Sequence, residues 1–416
     1  MKPTPAALGQ ASELLAQVMQ FSAPADAQLS AYFRRHPALG RAERAWIADG
    51  VYAVLRHFYT LTRLLGSEAP PRLLLAAAWL KFGGVSLREL EPALTREEAA
   101  TLAGLKGAGS EGLPLSAAAE LPDWVIDALR PTLDDVGILA LGRALQNPAP
   151  LDARVNTLKA KREDVLARLA GEGVAAQATP YSPWGVRLPH GFPLQRHPLF
   201  LDGSLEVQDE GSQLIALLLA PRRGEKVVDL CAGAGGKTLA LGAQMAGSGR
   251  IYALDTNAQR LTKLGPRLAR AGLANVTPQI VAPENDQRLK RLAGKIDRVL
   301  VDAPCSGLGT LRRNPDLKFR QSPASVAELN RKQAALIRAA ARLLRPGGRL
   351  VYATCSLLPA ENRAIVDGFL AEHPEFKRTP AASLLPDPAL DEDGDMLLNP
   401  ARHGSDGFYA AILHAP

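Results

Sequence analysis

The chain is poor in cysteine: Cys231, Cys305 and Cys355 are the only three in 416 residues. That number is odd and too small for a disulfide scaffold, so a reduced, cytoplasmic protein with free thiols is expected. Long apolar runs are missing as well. The longest, Leu73 to Leu80, covers eight residues, well short of the ~20 needed to cross a bilayer, so no membrane association is expected. The first residues, MKPTPAALGQASELL, contain no apolar signal core. Histidine is sparse, and His36, His57 and His403 show no ligand spacing, so no metal is expected. Acidic residues are scarce over 211–350, where 24 Lys and Arg stand against 9 Asp and Glu, a net +15. The rest of the chain is close to neutral or acidic, with −1 over 1–150, −1 over 151–210 and −6 over 351–416. A field concentrated in this way predicts a polyanionic partner, nucleic acid above all.

What is present divides the chain into three. Residues 1–145 read as helical: Trp46, Ile47, Val51, Val54, Leu55 and Phe58 recur at helical spacing, and PPRLLLAAAWLKF predicts a second helix opened by proline. QNPAP (146–150) is a linker signal. Residues 150–205 read as a small α/β unit: strand-like ARVNTL, a short helix in REDVLARLAGEG, then strand-like WGVRL. From 206 to 416 strands and helices alternate: KVVDLCA, RIYALD, VTPQIVA, DRVLVDA, GRLVYAT and GFYAAIL are the strands. This α/β alternation predicts an open, mostly parallel sheet covered on both faces, with its site beyond the carboxyl ends of the strands. All three cysteines lie at such ends. The helical stretch AQRLTKLGPRLARAG contains a proline expected to kink it.

VVDLCAGAGGKT is a strand, an Asp and a glycine loop opening a helix. Gly233, Gly235 and Gly236 let backbone approach a ligand closely. A phosphate-cradling P-loop would need glycine where Cys231 stands, although Gly236, Lys237 and Thr238 fit and VLVDAP imitates the companion strand. A dinucleotide loop would need Gly or Ala at Thr238. A nucleoside cofactor without a pyrophosphate, such as S-adenosyl-L-methionine, fits a third way. Asp229 would order the loop, and Asp255 would receive the ribose hydroxyls.

Joined to the cysteine motifs, these residues give the chain its likeness to a known family. VVDLCAGAGGKT, DRVLVDAPCSGLGTLRRNPDLK, LVYATCSLLPAEN and EVQDEGSQL resemble the RsmB/Sun family of RNA (cytosine-5)-methyltransferases. The resemblance covers roughly 150–416. It implies a Rossmann-like class I methyltransferase sheet, S-adenosyl-L-methionine as cofactor, and RNA as substrate, ribosomal RNA first with transfer RNA as the alternative. The helical region, through RAERAWIADGVYAVLRHFYTLTRLLG, is similar to the NusB-like RNA-binding domain such proteins carry. One departure stands out: the family usually has Ala-Pro after Cys-Ala, and here Gly233-Ala234 takes that place.

The resemblance also implies residue roles. Cys231, Ala232, Gly233, Ala234, Gly235, Gly236 and Lys237 would hold the methionine end of the cofactor. Asp286 would lie near its adenine. Asp302 would contact the cytosine or the cofactor, and Lys237 would lie beside the base. Pro304-Cys305 resembles the nucleophile of DNA cytosine methyltransferases, and pattern alone selects it. The RNA family implies the reverse, with Cys355 attacking and Cys305 assisting release. Thiols suit this chemistry because adding a thiolate to carbon 6 of cytosine breaks the aromaticity and makes carbon 5 nucleophilic. A free thiol is only ~3% ionised at pH 7, so the site must favour the anion. Arg312 and Arg313 are expected on a substrate-facing loop, against RNA phosphates. Two rivals stay open: a non-catalytic RNA-binding or ribosome-assembly factor, and a P-loop nucleotide hydrolase. A monomer is expected.

Overall fold

The computed structural model describes residues 4–105, 112–282, 286–385, 389–391 and 393–416. The chain forms two compact units, Met1–Pro148 with Thr310–Pro323, and Ala149–Gly309 with Ala324–Pro416.

The first unit is helical. Pro71–Lys81 buries Leu74, Leu75, Ala76, Ala77, Ala78 and Trp79, so apolar residues occupy more than one face and it is the central helix. Pro5–Val18, Ala25–Arg35 and Arg41–Arg56 contribute Leu8, Leu15, Leu29, Ile47 and Val51 to the same core. The periodic stretch from Arg41 onward is two helices rather than one, Arg41–Arg56 and Phe58–Leu65, parted at His57. The break has a local cause. The Glu120 carboxylate accepts hydrogen bonds from Tyr59 N (2.9 Å) and Thr60 N (3.0 Å), two of the donors that a new helix start leaves without intrahelical partners.

Residues 310–323 belong to this helical unit, although they follow the Pro304-Cys305 motif in sequence. Asp316 accepts from Ala25 N at 3.2 Å, capping a helix whose N-cap, Pro24, has no side-chain acceptor. Phe319 stacks on Phe21, with ring centroids 4.6 Å apart, and meets Phe58 edge-on at 5.0 Å. Lys318 Nζ donates to the carbonyls of Glu120 (3.0 Å) and Arg56 (3.1 Å) and lies 3.6 Å from the Glu120 carboxylate. Arg312 is only 5% exposed. The expectation of a substrate-facing Arg312 is therefore corrected: it is a buried part of the helical unit.

The second unit holds two sheets. In the smaller, β1 (Leu151–Val155), β2 (Gln177–Ala178), β3 (Gly185–Leu188) and β4 (Leu205–Val207) run in the order β2-β3-β1-β4, all antiparallel. The helix Arg162–Gly171 contributes Val165 and Leu169 to a core with Ala153, Val155 and Val186.

The larger sheet comprises β5 (Lys226–Asp229), β6 (Arg250–Asp255), β7 (Val276–Ile280), β8 (Ile296–Asp302), β9 (Leu344–Thr354), β10 (Lys377–Thr379), β11 (Met396–Leu398) and β12 (Phe408–His414). Its order is β10-β12-β9-β8-β5-β6-β7, with β11 also paired to β12. β5 to β9 are mutually parallel, as the alternation predicts, and β12 adds antiparallel to β9. The helix expected to kink at Pro266 is broken instead, into Ala258–Thr262 and Leu264–Ala271. Thr262 is the residue whose carbonyl a proline four positions later excludes. Strand order reverses between β5 and β8, the crevice where such sheets bind ligands. The register sets Asp229 opposite Leu300 and Asp302 opposite Ala353, so the motif-bearing turns leave neighbouring strands together. Among the described residues no helix is long and apolar enough to cross a membrane.

Candidate active site

The glycine loop leaves β5 and enters the helix Gly236–Gln244. Two positions require glycine. Gly235 has φ +84°, and a Cβ there would meet Leu264 Cδ1 at 2.1 Å. Gly233 has φ +56° and faces open space, so bare backbone is presented. The loop is tied down on several sides. Gly233 N donates to Asp255 Oδ2 (2.8 Å), Ala232 N donates to Leu254 O (2.9 Å), and Arg267 donates to Ala234 O. Arg267 is itself paired with Glu206 at 3.3 Å. In this chain, then, a guanidinium braces the loop at the Gly233-Ala234 departure.

Asp229 is buried and accepts from Thr238 Oγ1 at 2.6 Å, while its Oδ1 has no hydrogen-bond partner among the described residues. Burial pushes its carboxyl up to about 7. Asp255 closes β6 and takes Asn257 N at 2.7 Å on its other oxygen. Each carboxylate oxygen keeps a second acceptor position. Asp286 follows β7 and caps the helix Gln287–Leu292, accepting from Arg288 N (2.8 Å) and Ala282 N (3.0 Å), and these bonds hold its carboxyl below the usual range. Open backbone at Gly233 with acidic acceptors after β5, β6 and β7 fits a nucleoside carrying an amino-acid end.

Lys237 Nζ donates to Asp302 Oδ2 at 2.7 Å, joining the glycine loop to the end of β8. Burial alone would lower Lys237, but the Asp302 ion pair and hydrogen bond, with the charges of Cys355 and Asp229, hold it above its ordinary value. The Cys231 thiol is pushed up, first by burial and then by the charges of Asp302, Asp229 and Asp255. It is therefore a poor nucleophile.

Cys305 and Cys355, fifty positions apart, have sulfurs 3.4 Å apart and form a thiol hydrogen bond. The Cys305 thiol is held well above its usual range, first by that bond, then by burial and by the charges of Cys355 and Glu361. Behind the sulfurs lies a network that sequence reading missed. Glu361 Oε1 accepts from Ser306 N (2.8 Å) and Gln333 Nε2 (3.0 Å), and its Oε2 accepts from the hydroxyls of Ser306 and Ser356. Gln333 also reaches Pro304 O at 3.0 Å. Glu361 stands inside LVYATCSLLPAEN, but glutamate is seldom buried and nothing in its spacing marks it.

A second feature of this unit is a cavity of about 330 Å³ where β5 and β8 begin, at the opposite end of those strands from the cysteine turns. Lys226, Tyr252, Gln279, Arg288, Arg291 and Lys295 line it. Part of the +15 excess is gathered here. Much of the remainder is paired, as in Arg298–Glu225, Arg345–Asp297 and Arg270–Glu206.

A doubly wound sheet with a nucleoside-fitting glycine loop at its switch point is the frame of a methyltransferase, and two thiols in contact stand at the ends of its neighbouring strands. Residues 216–414 match the family model of the 16S rRNA methyltransferase RsmB/F, and residues 121–195 match that family's ferredoxin-like domain. A probable ribosomal RNA small subunit methyltransferase B of Synechocystis sp. is 36% identical over 307 residues, 73% of this chain and 68% of that protein. The ribosomal RNA small subunit methyltransferase B of Sodalis glossinidius is 38% identical over 269 residues, 64% of this chain and 59% of that protein. The crystal structure of PH0851 superposes with a TM-score of 0.79 at 26% identity, covering 99% of both chains. A methyltransferase homolog protein from Pyrococcus horikoshii gives 0.59 at 28%, covering 71% of this chain and all of that one. The chain belongs to the RsmB/F family of S-adenosylmethionine-dependent rRNA methyltransferases.

Proposed function

We propose that this protein methylates carbon 5 of a cytosine in ribosomal RNA, with Cys355 as nucleophile and Cys305 as the residue that assists release. The contact of the two sulfurs at 3.4 Å, beside the Lys237–Asp302 pair, carries the reading. The Cys305 thiol is held well above its usual range, so on this reading it is the member of the touching pair that donates its S–H to Cys355 Sγ.

The chain's residues then act in order. Cys355 Sγ forms a bond to carbon 6 of the cytosine, and the ring's electron pair moves to make carbon 5 nucleophilic. S-adenosyl-L-methionine, when bound, supplies an electrophilic methyl group. Lys237 and Asp302, fixed to each other, orient the base across the glycine loop. After carbon 5 has taken the methyl, its proton passes to a base. The electron pair so released restores the double bond between carbons 5 and 6, and Cys355 departs as thiolate. The Cys305 S–H stabilises that departing sulfur. The target base must leave its stack to reach this turn.

The test is product analysis. Incubation of rRNA with the protein and methyl-labelled cofactor should place label in 5-methylcytidine, and total RNA from a deletion strain should lack one such site in the small-subunit rRNA. Label in transfer RNA alone would move the substrate. RNA binding without methyl transfer would favour a non-catalytic assembly factor.

A further inference from the structure

The two thiols are chemically alike and touch, so something outside them must decide which one attacks. Glu361 is fully buried, and four donors occupy its two oxygens: Ser306 N, Gln333 Nε2 and the hydroxyls of Ser306 and Ser356. Oε1 faces two N–H donors, and Oε2 is shared by two hydroxyls that lie 3.2 Å from each other, so all of the roughly four acceptor positions of a carboxylate are occupied. It is not placed evenly between the thiols. Ser306 N is the amide of the Cys305–Ser306 peptide, and it points at Glu361 Oε1 from 2.8 Å. The matching amide after Cys355, Ser356 N, turns instead to Thr354 Oγ1 at 3.2 Å. Lys237, bonded to Asp302 at 2.7 Å, is close enough to Cys355 for the Cys355 charge to help hold its proton. Glu361 is thus tied by a backbone bond to the Cys305 side that the Cys355 side lacks, while Lys237 interacts with Cys355.

We propose that Glu361 is the positioning residue that assigns the two thiols their roles: its buried charge, set against the Cys305–Ser306 peptide, keeps the shared proton on Cys305 and leaves the anion on Cys355. The same residue fixes the contact itself, because its oxygens bridge Ser306 and Ser356, the immediate followers of the two cysteines. Like charge near an ionisable group disfavours its anion. Swapping charge for an equal shape should therefore redistribute the proton without dismantling the turn. This rests on the roles given above to Cys305 and Cys355, but it can be tested without RNA or cofactor.

The experiment is limited alkylation of the full-length protein with iodoacetamide, followed by mass-spectrometric counting of label at each cysteine. In the unmodified protein label should fall mainly on Cys355. In Glu361→Gln the Cys305:Cys355 ratio should rise by about tenfold, equivalent to one pKa unit or about 1.4 kcal/mol. Glu361→Asp, which retains the charge, should keep the preference for Cys355, and so should Ser356→Ala, which removes a donor but not the charge. Circular dichroism monitors the fold, and the two charge-retaining variants stand as the test if Glu361→Gln does not fold. An unchanged ratio in Glu361→Gln, or loss of the preference in Glu361→Asp, would overturn the proposal. Because labelling needs no methyl transfer, a failed methylation assay and a failed charge assignment give different results.

Discussion

Replacing Lys318 should reveal the most costly single charge in the helical unit. Its ammonium is enclosed by the Glu120 and Arg56 carbonyls, by the Glu120 carboxylate at 3.6 Å, and by the Tyr59 and Phe319 rings at 5.4 and 5.2 Å. Burial lowers Lys318 to about 8, with Glu120 opposing, while burial raises Glu120 against the pull of Lys318. An ion pair in which attraction dominated would move both the other way. Desolvation therefore exceeds attraction here, and the pair is a poor source of stability although each partner needs the other. Lys318→Met leaves the Glu120 carboxylate buried with only the Tyr59 and Thr60 groups to face it. Breaking such a pair costs about 3–5 kcal/mol. Adding Glu120→Gln removes the stranded charge, and the double variant should recover about 2 kcal/mol or more. Urea unfolding followed by tryptophan fluorescence reads the helical unit, since Trp46, Trp79 and Trp124 lie in it and only Trp184 does not. The pH dependence has a definite sign. Between about pH 8 and the unfolded value near 10.4, the unfolded chain binds more protons at Lys318, so stability rises with pH in that window. Lys318→Met should lose that rise. Equal stability of the single and double variants would refute the reasoning.

Two other outcomes follow from the second unit. Asp255→Ala removes the acceptor for Gly233 N and the acceptor expected for ribose hydroxyls, and should weaken cofactor binding by about 1.5–3 kcal/mol in calorimetry. Reversing Arg288, Arg291 and Lys295 to Glu at the basic cavity should lower RNA affinity. It should also flatten the log–log salt dependence by at least about 2, at ~0.7 for each phosphate no longer neutralised; an unaltered slope would return those residues to the solvated surface.

Much of the catalytic sheet was legible because its strands are short apolar runs ended by residues of special chemistry. Asp229, Asp255, Asp302 and Thr354 all stand where a strand ends. The break at Pro266 was half legible: the missing amide was plain, but whether a kink or a break results depends on packing. Arg312 was misread because arginine normally faces water, and the burial of Lys318 carried no signal for the same reason. Glu120 and the aromatic cluster, about 190 to 300 positions away in sequence, surround Lys318. Glu361 failed for the same reason, since its four donors come from three separate segments. Asp286 carried a visible signal as the acid just before a helix, and its capping role follows from local chemistry.

The central claim is the division of labour between the two touching thiols. The direct measurement is a denaturing gel of labelled RNA incubated with cofactor and each single cysteine variant. Cys305→Ala leaves attack and methyl transfer intact but removes the thiol that stabilises the departing sulfur, so a slow-migrating covalent protein–RNA band should accumulate, carrying the transferred methyl. Cys355→Ala should give no band and no methylation. A band from Cys355→Ala and none from Cys305→Ala would contradict the account and make Cys305 the nucleophile.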